Sequence, residues 1–398
     1  MKSEELAING GTPVRKKMLP YGHQYVDEED IRAVEKVLKG DWLTQGPDVV
    51  EFEQKIAERV GAKYAVATSS GTAALHTACF AAGIGKGDEA ITTPITFVAS
   101  ANCILYRGGK PVFADIKMTT YNIDSEDIER KITKNTKAII PVDYTGQPAD
   151  LDEIKEIAEK HNLIVIEDAS HALGATYKGR RIGSISDMTV FSFHPVKLIT
   201  TGEGGMVVTN NKEFYDKMKM FVTHGITKEK DKLFNYQGPW YYEMQELGYN
   251  YRLTDIQCAL GISQLKKLDK FIKRRREIVS MYNESLKDVG EIILPFKNPD
   301  VESSWHLYMI RLKLDKLKVS RRQVFEALRA ENIGVHVHYI PVYLQPFYQK
   351  LGYKKGLCPN AERYYEEAIT VPIFPAMTDK DVEDVIKAIK KVIAYYRR

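Results

Sequence analysis

The chain has 398 residues, 44% hydrophobic and 28% charged, an ordinary globular composition with ample material for a large core. Basic residues exceed acidic ones by only 57 to 53, which gives no nucleic-acid signal, although a pocket for an anion could still be locally basic. No run approaches the ~20 apolar residues that span a bilayer, so the expectation is a soluble, cytoplasmic protein of two or three domains with neither nucleic acid nor membrane as partner.

In chain order, apolar residues recur at helical spacing from Asp27 to Leu38 and again from Val49 to Val60, with Phe52, Ile56 and Val60 in the second stretch. The run YAVAT follows, then SSGTAALHTACFAAG, a helix opened by Ser, Gly and Thr and closed near Gly83. Strand-like EAITTP precedes helical FVASANCILYRG. PVFADI and TKAIIPVDY read as strands, DLDEIKEIAEKHN as a helix, and LIVIEDAS, MTVFSF and GGMVVTN as three further strands. Short β-branched runs between amphipathic helices predict an α/β fold whose mostly parallel central sheet is covered on both faces. In such sheets ligands sit at the carboxyl ends of the strands. The aromatic, glycine-bearing segment Lys228 to Tyr251 reads as an ordered loop. From Thr254 to Leu286 the pattern is one helix, on the order of 50 Å long, with its KRRRE cluster (Lys273 to Glu277) on a solvated face. Beyond it lies a smaller α+β unit: strand HLYMIRL, helix SRRQVFEALRAENI, strand GVHVHYIP and a final helix from Asp379 to Tyr396. The expected organisation is therefore a large domain over 1–253, a linking helix over 254–286 and a small C-terminal domain over 287–398.

Three strand ends carry candidate chemistry. TSSGT (Thr68 to Thr72) ends a strand and opens a helix, where free amides and the helix dipole favour a phosphate and Gly71 lets backbone approach it; a plain Ser/Thr N-cap is the alternative. LIVIEDAS ends on Glu167-Asp168, a carboxylate that could bind a metal, act as a base, pair with a protonated ring nitrogen, or simply cap the next turn. FSFHPVK places Lys197 on a turn among aromatics, where a dry environment would lower its pKa and make its amine a nucleophile able to form Schiff bases. Together these suit pyridoxal 5'-phosphate (PLP), which needs a phosphate cradle, an acid for its ring nitrogen, an amine and usually an aromatic on the ring face. Ser70-Gly71-Thr72, Phe97, Asp168 and Lys197 offer those parts in order, with Ser192 a second phosphate candidate. His171, His194, His336 and His338 lack metal-ligand spacing, so no metal is expected. The cysteines Cys79, Cys103, Cys258 and Cys358, without any CxxC, read as buried small apolar residues in a reducing compartment.

ATSSGTAAL, ITFVASAN, VIEDASHALGA, FSFHPVKLITTGEGG and GYNYRLTDIQCALG, in this order and spacing, resemble the DegT-type sugar aminotransferases of PLP fold type I. The similarity runs from about Leu19 to HYIPVYLQPFY and VPIFPAMT near the C-terminus. Within that family, FSFHPVKLITTGEGG with WYYEMQELGYNYRLTDIQ is most similar to the UDP-4-keto-6-deoxy-N-acetylhexosamine 4-aminotransferases of pseudaminic acid biosynthesis. The resemblance implies that Lys197 holds PLP and shuttles protons, that Asp168 sits on the ring nitrogen, and that Gly71, Thr72 and Ser192 hold the phosphate. It further implies Phe97 stacked on the ring and His171, a position that many relatives fill with Gln, beside the phenolic oxygen. Asn250 would reach the phosphate of the neighbouring subunit, making the active site a property of a homodimer. Thr44, His338 and Tyr339 fall in segments lining the sugar-nucleotide side. The implied partners are L-glutamate and a UDP-linked keto sugar. Relatives with His at the lysine position are dehydratases; Lys197 keeps amino transfer. A C4 aminotransferase for another sugar (perosamine or 4-amino-4-deoxyarabinose type), a different PLP reaction on the same fold, and a binding protein without turnover stay open as alternatives.

Overall fold

The computed structural model describes residues 5–398. Its frame is a seven-stranded sheet. In chain order the strands are β1 (Tyr64–Thr68), β2 (Glu89–Thr92), β3 (Lys110–Phe113), β4 (Thr136–Ile140), β5 (Ile164–Asp168), β6 (Met188–Ser192) and β7 (Gly205–Thr209). Across the sheet they lie β1-β7-β6-β5-β4-β2-β3. The ladders from β6 to β3 are all parallel, whereas β7 runs antiparallel to both its neighbours. The sheet is thus mostly parallel, as its β-branched runs between helices predict, with β7 the exception because it returns directly from β6 through the loop 193–204 rather than through a crossover helix.

Alternation along the strands feeds two apolar layers. Val66, Ile166, Val190 and Val207 face α3 (Gly71–Ala81), α4 (Ala99–Tyr106) and α7 (Lys212–Phe221), where Leu75, Ala78, Ile104 and Met218 meet them. Ala65, Ala67, Val165, Met206 and Val208 face the other way, onto Phe52 and Ile56 of α2 (Pro47–Val60), Ile128 of α5 (Ser125–Lys131), Ile154 and Ala158 of α6 (Leu151–His161) and Ile262 of α8 (Asp255–Leu265). Helix α1 (Glu28–Leu38), opened by a capping box from Asp27 and Asp30, packs along α8. All four cysteines are free thiols inside the protein. Among the described residues no helix is long and apolar enough to cross a membrane.

Where the sequence reads one helix from Thr254 to Leu286, the structure has two, α8 and α9 (Leu268–Leu286). Asp30 is fully buried on α1, and at the break both Gln264 and Lys267 turn toward it, the amide at 2.7 Å and the ammonium at 3.0 Å. The Lys267 amide bonds the Gln264 carbonyl at 2.9 Å, a tightened turn that interrupts the α-helical ladder. The KRRRE cluster departs from expectation at one residue. Arg275 is buried, and its Nη1 donates to the carbonyls of Trp305, His306 and Ile373 at 3.2, 3.1 and 2.9 Å; the flanking basic residues are solvated as expected or half-buried.

Beyond α9 a three-stranded antiparallel sheet, β8 (Ile292–Ile293), β9 (Tyr308–Leu312) and β10 (Ala368–Val371), packs its own core with α9, α10 (Arg321–Ala330) and α13 (Asp379–Tyr396), including Ile278, Tyr282, Ile310, Leu328, Val385 and Ile389. The short helices α11 (Pro346–Lys350) and α12 (Pro359–Glu367) precede β10. GVHVHYIP, expected as a strand, makes only one bridge, His336 with Thr370 at 3.1 and 2.8 Å. His338 and Tyr339 then turn into a cavity, and Pro341 has no amide with which to extend a ladder.

Candidate active site

The carboxyl ends of β1, β5 and β6 converge on a cavity of about 590 Å³. Its floor starts at α3, where Ser70 caps the helix by accepting from the Ala73 amide at 3.1 Å. The N-cap reading of TSSGT is therefore correct for Ser70, and compatible with the phosphate reading, since the Ser70 hydroxyl still has its proton to donate. A Cβ on Gly71 would lie 2.9 Å from the Ser192 Cβ, so only glycine lets the start of α3 lie against the end of β6. Ser70, Gly71, Thr72 and Ser192 thereby share one edge of the cavity.

Asp168 ends β5, buried, with Oδ1 accepting from the Ser170 amide at 3.1 Å and Oδ2 from the Ser100 hydroxyl at 2.7 Å. Lys197 lies on the loop between β6 and β7, which closes on itself through Phe193–Gly204 and Thr201–Phe193 backbone bonds of 2.9 and 3.0 Å, while the Lys197 amide bonds the His194 carbonyl at 2.9 Å. Burial lowers the Lys197 pKa to about 8, against the pull of the Asp168 charge. The aromatics beside it in sequence are not the cause that the sequence suggests. Phe191 and Phe193 belong to the core under the sheet. The cavity walls are instead Tyr21, Phe97, Tyr339 and a group of imidazoles.

Phe97 is 58% exposed at the mouth, its ring 6.4 Å from that of Tyr339. His171 lies deeper, its ring 4.4 Å from that of His306 and tilted 40° to it, with Nε2 3.5 Å from the Tyr339 hydroxyl. Burial holds both imidazoles well below the usual histidine pKa, so they are neutral, and the Nδ1 atom of each has no partner among the described residues. His338 is pushed down to about 3, chiefly by burial, with Nδ1 2.7 Å from the Thr370 hydroxyl. Sequence reasoning missed Ser100, Thr96, Tyr21 and His306 as cavity residues. His306 opens strand HLYMIRL, and a polar residue at the head of an apolar strand was the available signal.

Thr44 and Asn250 are not brought to this cavity. Both are exposed; Thr44 bridges Thr254 and Asn250 bridges Thr223. Near them the surface is rich in exposed apolar side chains, including Trp42, Leu43, Leu247 and Tyr249, with Trp240 and Phe234 on the adjoining loop. That loop is ordered by Glu243, which accepts from the Phe234 and Asn235 amides, each at 2.9 Å.

Tested against PLP, the donor set fits: hydroxyls and helix amides around a glycine that a side chain would block, a fixed buried carboxylate, and an amine of lowered pKa on one cavity. Residues 24–390 match the DegT/DnrJ/EryC1/StrS aminotransferase family. The chain is 45% identical to the spore coat polysaccharide biosynthesis protein SpsC of Bacillus subtilis, over 95% of this chain and 98% of the relative. It is 44% identical to the UDP-4-amino-4,6-dideoxy-N-acetyl-beta-L-altrosamine transaminase of Campylobacter jejuni, over 92% and 96% respectively. Of solved structures, Helicobacter pylori PseC, an aminotransferase involved in pseudoaminic acid biosynthesis, superposes with a TM-score of 0.89 at 35% identity, covering 96% of this chain and 100% of that one. The putative sugar aminotransferase Spr1654 of Streptococcus pneumoniae in its PLP form gives 0.89 at 32%, covering 95% and 99%. Similarity of this depth over almost the whole length means that the chain belongs to the DegT/DnrJ/EryC1/StrS family, as a PLP-dependent aminotransferase of fold type I acting on nucleotide sugars.

Proposed function

We propose that the enzyme transfers the amino group of L-glutamate to the C4 ketone of a UDP-linked 4-keto-6-deoxy-N-acetylhexosamine, as a cytoplasmic homodimer. The observation that carries this reading is the Lys197 amine, held at a pKa of about 8 on the same cavity as Asp168. Near neutral pH such an amine exchanges its proton readily, as a group that must take a proton from one carbon and return it to another requires. Bound PLP supplies an electron sink that lets the α-carbon of glutamate, and then C4 of the sugar, lose or gain that proton. Lys197 holds the cofactor and moves the proton from one face, which sets the stereochemistry at C4. Asp168 keeps the ring nitrogen protonated. Ser70, Gly71, Thr72 and Ser192 grip the phosphate, Phe97 covers the ring, and neutral His171 sits beside the phenolic oxygen. His338 and Tyr339 line the sugar side.

The dimer rests on Asn250 and Thr44, which lie outside their own cavity on a surface rich in exposed apolar groups. In the dimer they complete the neighbour's site. A second reading, transfer to a different nucleotide sugar, is favoured by the equal similarity to SpsC. The test is the absorbance of the PLP-loaded protein. L-Glutamate should bleach the cofactor's visible band, and the UDP-4-keto-6-deoxy-N-acetylhexosamine should restore it. Bleaching that only another keto sugar reverses would select the second reading; no bleaching would sink glutamate as donor.

A further inference from the structure

Asp168 is held by something that the functional reading above does not use. Thr96 and Ser100 flank the start of α4, where hydroxyls ordinarily cap the helix by accepting from its first amides. Here the N-cap residue is Val98 and no side chain caps the helix. Both hydroxyls are turned the other way, into the cavity wall. Ser100, 1% exposed, lies with Oγ 2.7 Å from Asp168 Oδ2 and 2.7 Å from Thr96 Oγ1, itself 3% exposed.

The hydrogens of this chain can be assigned by counting. A serine hydroxyl has one proton. The carboxylate only accepts, so Ser100 donates to Asp168; the competing contact, to the Phe97 carbonyl, is long at 3.4 Å. Ser100 then has only lone pairs for Thr96, so Thr96 donates to Ser100. The relay runs Thr96 to Ser100 to Asp168, with every donor pointing toward the charge, the arrangement in which each bond polarises and strengthens the next. With the Ser170 amide on Oδ1, both carboxylate oxygens are fixed.

We propose that Ser100, backed by Thr96, is a positioning residue that fixes the Asp168 carboxylate in the orientation that faces the cofactor's ring nitrogen, so that the proton between them stays on the nitrogen. The inference rests on Asp168 being the residue that faces that nitrogen. Without the Ser100 hydroxyl, Oδ2 loses that donor in a buried setting, the carboxylate is free to turn away from the nitrogen, and the nitrogen holds its proton less firmly. The ring would then draw electrons less well, although the cavity is unchanged in shape.

The experiment uses the holoenzyme loaded with PLP labelled with ¹⁵N in the ring, with three readouts: the ¹⁵N chemical shift, PLP affinity by absorbance titration, and the melting temperature of the apo-protein. Ser100→Ala should move the shift toward that of an unprotonated ring and weaken PLP binding about ten-fold, leaving the apo melting temperature within a few degrees of wild type. Ser100→Thr, which keeps the hydroxyl, should restore the shift, and Thr96→Val should give a smaller displacement in the same direction. In an Asp168→Asn background, Ser100→Ala should add nothing, because the serine acts only through the carboxylate. An unmoved ¹⁵N shift in Ser100→Ala, or a loss of affinity that persists undiminished in the Asp168→Asn background, would overturn the proposal; the latter would make Ser100 a direct ligand contact. Asp168→Asn that itself left the nitrogen shift and affinity at wild-type values would overturn the reading of Asp168, and this inference with it.

Discussion

Replacing Gly71 by Ala tests whether the junction of α3 and β6 is the phosphate cradle. The added Cβ would sit 2.9 Å from the Ser192 Cβ and 3.1 Å from its Oγ. Carbon atoms in contact prefer about 3.5–4.0 Å, so the helix start and the strand end must part by at least roughly half an ångström. Overpacking of this kind costs about 1–3 kcal/mol. Ala in place of Gly returns about 0.4–1 kcal/mol by restricting the unfolded chain, and Gly71 is not among the residues of left-handed backbone, so no conformational penalty is added. The net loss of stability is on the order of 1 kcal/mol, small enough for the apo-protein to fold. The effect on PLP is larger in proportion. The same displacement separates the amides at the start of α3 from the Ser192 hydroxyl, and hydrogen bonds to a phosphate weaken steeply with length and angle. PLP affinity should fall about 10- to 100-fold, equivalent to about 1.4–2.8 kcal/mol. The assay pairs absorbance titration with PLP against urea denaturation of the apo-protein. If stability fell as expected while PLP bound with wild-type affinity, the junction would be a packing contact only and the cradle would have to be sought elsewhere on the cavity.

Three further outcomes follow from the same structure. Because burial depresses the Lys197 pKa from 10.5 to about 8, the folded apo-protein binds fewer protons at this site than the unfolded chain between those values; its stability should therefore rise with pH from about 8 to 10.5, and Lys197→Met should abolish that rise and be the more stable protein at pH 7, as urea denaturation across pH would reveal. Arg275→Met takes a donor from three buried carbonyls and should destabilise by about 2–4 kcal/mol, whereas Arg276→Met next to it, exposed and paired with Glu302 at the surface, should stay within about 1 kcal/mol in the same unfolding assay. If the proposed dimer shares its sites, Lys197→Ala and Asn250→Ala should each be inactive alone, and mixing the two proteins under subunit exchange should restore activity, because one site of the mixed dimer would combine Lys197 of one chain with Asn250 of the other; no recovery despite demonstrated exchange would refute a site shared between subunits.

Much of this protein is decided locally and is therefore legible in its sequence. The strands β1 to β7 show as short apolar, often β-branched runs because both faces of the sheet are buried, helices α1, α2 and α6 show an apolar face at helical spacing, and α3 is marked by its Ser-Gly-Thr opening. The chemical parts that fill the strand ends, Ser70-Gly71-Thr72, Asp168, Ser192 and Lys197, follow from the rule that a parallel sheet gathers its strand termini along one edge. The helix α5 is only seven residues long, too short for its period to show, whereas α7 carries Phe214, Met218 and Phe221 at i, i+4 and i+7, a helical spacing that was legible but not read.

Other features depend on partners distant in the chain. At the break between α8 and α9, Gln264 and Lys267 both reach Asp30, a buried acid more than two hundred residues earlier. Arg275 reads as one more solvated cation until the fold places three carbonyls around it. Phe191 and Phe193 look like the walls of a lysine pocket, yet strand alternation sends them to the core, and the wall comes from Tyr21, Phe97 and Tyr339 in three separate segments. Ser100 is an ordinary residue of a helix start until β5 brings Asp168 within 2.7 Å. The sequence by itself determined which groups the site could contain, because residue chemistry and strand period are local properties. Their roles as charge partner, wall or support were decided only by the tertiary structure, because burial and hydrogen bonding are relations between residues that the chain holds far apart.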